Sequence, residues 1–96
     1  MKPSHALQAH RAEVRAIVAE SRLVNLRVFG SAARGEDRED SDLDLLVEST
    51  KGLSLFDLML AEERLESALG VKVELLTPED FPPAIRETIL RSAVAV

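Results

Sequence analysis

Asp42 and Asp44 are separated by one residue in the run Ser41-Asp42-Leu43-Asp44-Leu45-Leu46-Val47. If this run is extended, its side chains alternate between two faces. Asp42, Asp44 and Leu46 then stand on one face, and Leu43, Leu45 and Val47 on the other. Neighbouring carboxylates on one face repel unless something positive lies between them. A divalent cation held by hard oxygen ligands is one solution, and Arg27, Arg34 or Arg38 is another. Upstream, Gly30-Ser31-Ala32-Ala33-Arg34-Gly35 reads as a small-residue turn with a short helical segment. Gly30 lets backbone approach a ligand closely, and Ser31 offers a hydroxyl and an N–H at a helix start, where anions are favoured. A phosphate cradle beside a cation-binding pair suits nucleotide chemistry. Two metal ions about 3.5–4 Å apart can activate an attacking oxygen and stabilise a leaving one. The plainer reading of an isolated Asp-x-Asp is a solvated acidic hairpin with surface ion pairs.

The same stretch carries the charge of the chain. Among 96 residues there are 17 acids and 12 bases, for a net charge of −5. Residues 36–44 (EDREDSDLD) hold six acids and one base, so the remaining eleven acids and eleven bases cancel. Glu36, Asp37, Glu39 and Asp40 are expected in a solvated loop, with Asp42 and Asp44 on a strand. Two familiar cation and phosphate loops do not fit. Asp40, Asp42 and Asp44 match the first three ligands of an EF-hand, but Leu45 stands where its glycine belongs and Lys51 where its glutamate belongs. Gly30 and Gly35 have P-loop spacing, but Glu36-Asp37 replace the required Lys-Ser/Thr and would repel phosphate.

The elements that position these residues follow from periodicity. Ser4 caps a predicted first helix, with Leu7, Val14, Ile17 and Val18 on one face, ending near Ser21 or Arg22. Val24, Leu26 and Val28 alternate with Asn25 and Arg27 as a strand that runs into the glycine turn. After the Asp42–Val47 strand, Lys51-Gly52 reads as a break. Ser54 begins another helix, with Asp57 in a capping-box-like pair, Leu55, Leu58, Met59, Leu65 and Leu69 as its buried stripe, and Gly70 just past its end. Val71, Val73 and Leu75 alternate with Lys72, Glu74 and Leu76 as a third strand. Thr77-Pro78-Glu79-Asp80 is a helix start that Pro82-Pro83 interrupts, and a last helix spans about 84–93. The order is α-β-turn-β-α-β-α, an α/β (α+β) domain with a small mixed three-stranded sheet flanked by helices. With its apolar faces aligned, Glu74 joins Asp42 and Asp44 on the opposite face. Residues 1–96 fit one domain, since the length leaves no second core's worth of chain.

The pattern Gly30-Ser31-Ala32-Ala33-Arg34-Gly35 followed by Ser41-Asp42-Leu43-Asp44-Leu45-Leu46-Val47 resembles the signature of the DNA polymerase β-like nucleotidyltransferase superfamily. It is nearest to the minimal nucleotidyltransferase branch. The motifs cover residues 28–47, and the element order extends the likeness over nearly the whole chain. The resemblance implies that Gly30 and Ser31 hold a nucleoside triphosphate, with Arg34 near it or neutralising Glu36 or Asp40. It implies two Mg²⁺ ions on Asp42 and Asp44 and a third carboxylate to complete the metal site and help deprotonate the acceptor. By position that carboxylate is Glu74, where the family more often has Asp; otherwise Glu74 is a surface acid paired with Lys72 or an arginine. In-line attack on the α-phosphorus of ATP then transfers AMP and releases pyrophosphate.

Larger members of the superfamily carry a second domain that presents the acceptor. Here the acceptor is expected on another molecule. The resemblance points to a HEPN-type ribonuclease toxin, with this chain as its antitoxin and a toxin tyrosine receiving AMP. The alternatives are an inactive or weakly active module that neutralises its partner by contact, and an enzyme with a small-molecule acceptor. Several classes close on composition. There is no cysteine, hence no disulfide, thiolate nucleophile or Cys-based zinc site. No run is long and apolar enough for a membrane span, and the N-terminus lacks a signal peptide's apolar core, so a cytoplasmic protein is expected. Phe29, Phe56 and Phe81 are the only aromatics, which leaves no stacking platform and no expectation of direct nucleic-acid binding. His5 and His10, five apart, do not share a helix face and read as surface residues.

Overall fold

The computed structural model describes residues 1–49, 52 and 54–96. Pro3 takes the first helical position, where its missing N–H costs nothing and its φ is already helical. Helix α1 (Pro3–Ala9) stops at His10, whose φ of −120° and ψ of 27° leave the helical range, and α2 (Arg11–Glu20) begins beyond it. The single helix expected from Ser4 to Ser21 or Arg22 is therefore two. Nor is Ser4 the cap: Lys2 holds that position, and the Ser4 N–H and hydroxyl both donate to Asp37, at 2.8 and 2.9 Å. Leu7, Val14, Ile17 and Val18 are buried as their spacing requires.

Strand β1 (Leu23–Phe29) pairs antiparallel with β2 (Leu43–Ser49), but the register slips: Val24 faces Glu48, whereas Arg27 faces Leu46. One extra residue on β1 makes a bulge, in which Asn25 adopts φ 57° and donates from Nδ2 to Glu48 Oε2 at 3.1 Å. The slip changes which side chains point inward. Leu23 is buried and Val24 is 38% exposed, so the expected inward set Val24, Leu26, Val28 fails at its first member. Beyond the bulge, Leu26 packs against the core and Val28 belongs to it.

Helix α4 (Leu55–Leu69) begins as expected, with Ser54 Oγ accepting from the Asp57 N–H at 3.1 Å, and Gly70 ends it at φ 69°. Its buried residues are Ala61, Leu65 and Leu69, with Leu58 packed beside them. Leu55 and Met59, expected in that stripe, point outward at 73% and 57% exposure, because only the 58-61-65-69 face meets the sheet. Of the expected break, Lys51 lies outside the described residues.

Strand β3 (Val73–Leu76) runs parallel to β2, with Leu43 opposite Val73 and Asp44 opposite Glu74. A two-residue strand, β4 (Val94–Ala95), pairs antiparallel with β1, so among the described residues the sheet has four strands in the order β3-β2-β1-β4 rather than three. Two residues are too few to show alternation, which is why the sequence pattern misses β4. The fold class is the expected mixed α+β one, with α1, α2 and α4 packed on the Leu43, Leu45, Val47, Val73 and Leu75 face.

The outer edge of β3 is closed by α4. Glu66 accepts from the Val73 N–H at 3.0 Å and Glu62 from the Leu75 N–H at 2.9 Å. After β3, Thr77 and Asp80 form a capping box around a 3₁₀ turn (Pro78–Asp80), followed by α5 (Pro83–Ser92). Arg86 of α5 donates to the carbonyls of Pro78 and Phe81 at 2.8 and 3.0 Å. This pins the turn so that Phe81 meets Phe29 edge-on, with ring centroids 5.7 Å apart.

Candidate active site

Asp44 occupies the position in β2 where three segments meet. Its antiparallel partner is Phe29, the last residue of β1, and its parallel partner is Glu74. Directly paired residues lie on the same face of a sheet, so Glu74 and Asp44 project side by side. Asp42 lies just before β2 and is close enough for its charge to act on Asp44. Asp42 and Asp44 are half-buried and Glu74 is exposed.

Gly30 follows Phe29 at a φ of +74°, a conformation that glycine adopts without strain. A side chain there would meet the Asp44 carboxylate: a Cβ placed on Gly30 collides with Asp44 Oδ2. Backbone and carboxylate can approach this closely because position 30 has no side chain. From Gly30 the chain enters α3 (Gly30–Arg34), which closes at Gly35 with φ 71°. The expected turn with a short helical segment is present, and it sets Ser31 one residue from the contact with Asp44.

The electrostatics of the cluster are those of crowded carboxylates. Burial, then the Glu74 charge and hydrogen bonding to Glu74, and then the Asp42 charge push Asp44 up to about 6, with Arg34 opposing them. Glu74 is thus coupled to Asp44, and among the described residues none of the ion pairs joins it to Lys72 or an arginine. Arg34 donates from Nε to Glu36 Oε1 at 3.1 Å, one of the two pairings its position allowed. Hard oxygen donors that repel one another are the donor set a divalent cation takes. They form a pair with a third acid beside it, and among the described residues no three His, Cys, Asp or Glu side chains close into a ready-made metal cage.

The acidic loop is not uniformly solvated. Glu36, Glu39 and Asp40 are exposed, but Asp37 is 4% exposed, with both carboxylate oxygens occupied by Ser4. Burial alone would raise its pKa, yet the hydrogen bonds from Ser4 and the charge of Lys2 hold it below the usual carboxylate value. Nothing local in the sequence distinguishes Asp37 from its acidic neighbours, since its partner lies 33 residues away. Asp37 thereby ties the start of α1 to the loop joining Gly30-Ser31 to Asp42-Asp44. His10 is a surface residue whose Nδ1 lies 3.6 Å from Glu13 Oε2. No helix among the described residues is long and apolar enough to cross a membrane.

A glycine turn is pressed against Asp44, whose neighbour on the next strand is a second carboxylate, on a small mixed sheet flanked by helices. The chain belongs to the nucleotidyltransferase domain family, whose pattern matches residues 10–96. It is 39% identical over 90 residues to the protein adenylyltransferase MntA of Thermococcus cleftensis, a match covering 94% of this chain and 88% of that one. Among solved structures it is similar to one provisionally described as a minimal nucleotidyltransferase, with 43% identity, a TM-score of 0.87 and coverage of 97% of this chain and 95% of the other. The fold also recurs, at 19% identity and a TM-score of 0.76, in a toxin–antitoxin structure with AMP-PNP, matching 88% of this chain and 69% of that one.

Proposed function

We propose that this chain is a protein adenylyltransferase that moves AMP from ATP to a hydroxyl of a partner protein. The partner is a HEPN-type toxin, for which the chain acts as antitoxin in the cytoplasm, with residues 1–96 as one catalytic domain. The observation that carries this reading is the placement of Asp44 between Gly30 and Glu74. Kinship with the T. cleftensis adenylyltransferase over most of both chains supports the protein acceptor. The fold shared with a toxin–antitoxin assembly agrees with the partner class.

In this reading Asp42, Asp44 and Glu74 are the residues that would hold Mg²⁺, two ions in the full complement. Once bound there, the metal would supply charge neutralisation at the transferring α-phosphoryl group and would lower the cost of ionising the attacking hydroxyl. The N–H groups and hydroxyl of the Gly30-Ser31 turn bind triphosphate oxygens, which the bare Gly30 backbone allows to come close. Arg34, at the end of α3, offsets the negative charge of Asp44 and Glu36 on the same side. Glu74, the most exposed of the three acids, lies where an incoming acceptor arrives and takes its proton. The acceptor oxygen bonds to the α-phosphorus as the bond to the β-phosphate oxygen breaks, and pyrophosphate leaves.

The test is transfer of label from ATP labelled at the α-phosphate to a co-expressed product of the adjacent reading frame, with and without Mg²⁺. Transfer that disappears in the Asp42→Asn/Asp44→Asn double variant supports the reading. If neutralisation of the partner survives in that variant and no label ever transfers, the chain is a contact-only antitoxin and the enzymatic assignment is wrong.

A further inference from the structure

Four large apolar side chains stand exposed in the first two turns of α4: Leu55 at 73%, Phe56 at 67%, Met59 at 57% and Leu60 at 45%. At about 100° per residue they share one side of the helix, away from the Ala61, Leu65 and Leu69 side that meets the core. An apolar patch on a helix that no other described residue covers marks an interaction surface. One turn further on the same side the helix becomes acidic, with Glu63 exposed and Glu62 and Glu66 on its flank. The one basic residue of α4, Arg64, is engaged by Glu20 at 2.6 Å.

We propose that this face of α4 docks an amphipathic helix of the acceptor protein, with apolar residues that cover Leu55, Phe56, Met59 and Leu60 and basic residues that meet Glu63 and its neighbours. The charge pattern selects this occupant over a second copy. A self-paired face would bring two sets of carboxylates together with no free base on α4 to match them, in a chain whose net charge is already −5. The position of the face also joins it to the active site. Glu66 and Glu62 hold the N–H groups of Val73 and Leu75, on either side of Glu74. The acidic half of α4 therefore borders the strand that carries Glu74, and the apolar half lies about 10 Å further along the helix, at 1.5 Å per residue. A partner anchored on the apolar half and drawn along the acidic half arrives at the edge of the active site. This deepens the adenylyltransferase reading and rests on its protein acceptor.

The probes are two synthetic helical peptides with leucines at i, i+3, i+4 and i+7, one flanked by lysines and the other by glutamates in their place. Binding is read by fluorescence anisotropy, and the mass of the chain alone by analytical ultracentrifugation. At about 0.15 M ionic strength the lysine peptide is expected to bind about tenfold more tightly than its twin. Phe56→Ser/Met59→Ser, which alters only exposed side chains, should weaken it about tenfold, and Glu63→Gln by a smaller, salt-dependent factor. Equal binding of the two peptides, or unchanged binding by the Phe56→Ser/Met59→Ser protein, overturns the proposal. So does a dimer of the wild-type chain that this double substitution dissociates, because a second copy then occupies the face. The Asp42→Asn/Asp44→Asn protein should bind the lysine peptide normally. Docking can thus be judged even if no nucleotidyl transfer is found.

Discussion

Gly30 and Asp44 are in such close approach that the smallest side chain at position 30 would overlap a carboxylate oxygen of Asp44. The glycine is fixed twice over, by this contact and by its φ of +74°. Gly30→Ala is therefore expected to cost about 1–2 kcal/mol in stability from backbone strain. It should lower the rate of AMP transfer about 100-fold, since Asp44 must move to make room. Thermal melting and single-turnover labelling of the partner check the two effects separately.

Asp44 is more stable protonated in the folded protein than in the unfolded chain, because burial and then Glu74 disfavour its charge. The sign follows from linkage. As pH rises from 3.8 towards about 6, the unfolded chain gives up this proton first, and the folded state loses stability across that window. Asp44→Asn removes the effect. The variant should show a flatter stability profile than wild type between these values and be no less stable at pH 7, while transfer falls about 1,000-fold or more. Urea unfolding at a series of pH values, beside the labelling assay, tests both.

Asp37 behaves in the opposite sense. Its carboxylate is favoured in the fold despite burial, so its contribution is present above its unfolded pKa of 3.8 and disappears as pH falls through its lower folded value. Asp37→Ala leaves two Ser4 donors without their acceptor and should cost about 2–3 kcal/mol at neutral pH, against about 1 kcal/mol for Ser4→Ala. Combining the two should cost less than the sum, because they remove one shared interaction. Denaturant midpoints for both single variants and the double variant supply the cycle.

Glu74 tests whether its carboxylate is used or merely present. Glu74→Gln should reduce transfer about 100-fold with little change in the melting temperature, since the side chain is exposed. Glu74→Asp, one methylene shorter, should keep most of the rate. Initial rates of labelling over a range of Mg²⁺ concentrations distinguish a lost ligand, which excess metal rescues in part, from a lost base, which it does not.

Much of this arrangement is legible in the residue pattern, because it depends on local chemistry and strict alternation. Asp42-x-Asp44, the Gly30 turn and the Ser54 cap each announce themselves within a few residues. The convergence of Glu74 with Asp44 follows from aligning two apolar faces. The features that escape depend on distant partners. The bulge at Asn25 re-aims Val24, and only the pairing with Glu48 and Leu46 reveals it. The Asp37–Ser4 bond spans 33 residues. Leu55 and Met59 look like core because they are apolar at helical spacing, yet α4 turns only its 58-61-65-69 side to the core.

The pair of glutamates on the outer edge of β3 has a further effect on how Glu74 is held. Glu66 and Glu62 sit one helical turn apart and grip alternate peptide groups of the strand. They act as two teeth of a key. Sliding β3 by one residue would present no N–H to either tooth and turn Glu74 away from Asp44, while sliding it by two would set Lys72 or Leu76 opposite Asp44. The helix indexes the strand, so the alignment of the two carboxylates depends on side chains that never touch the reaction.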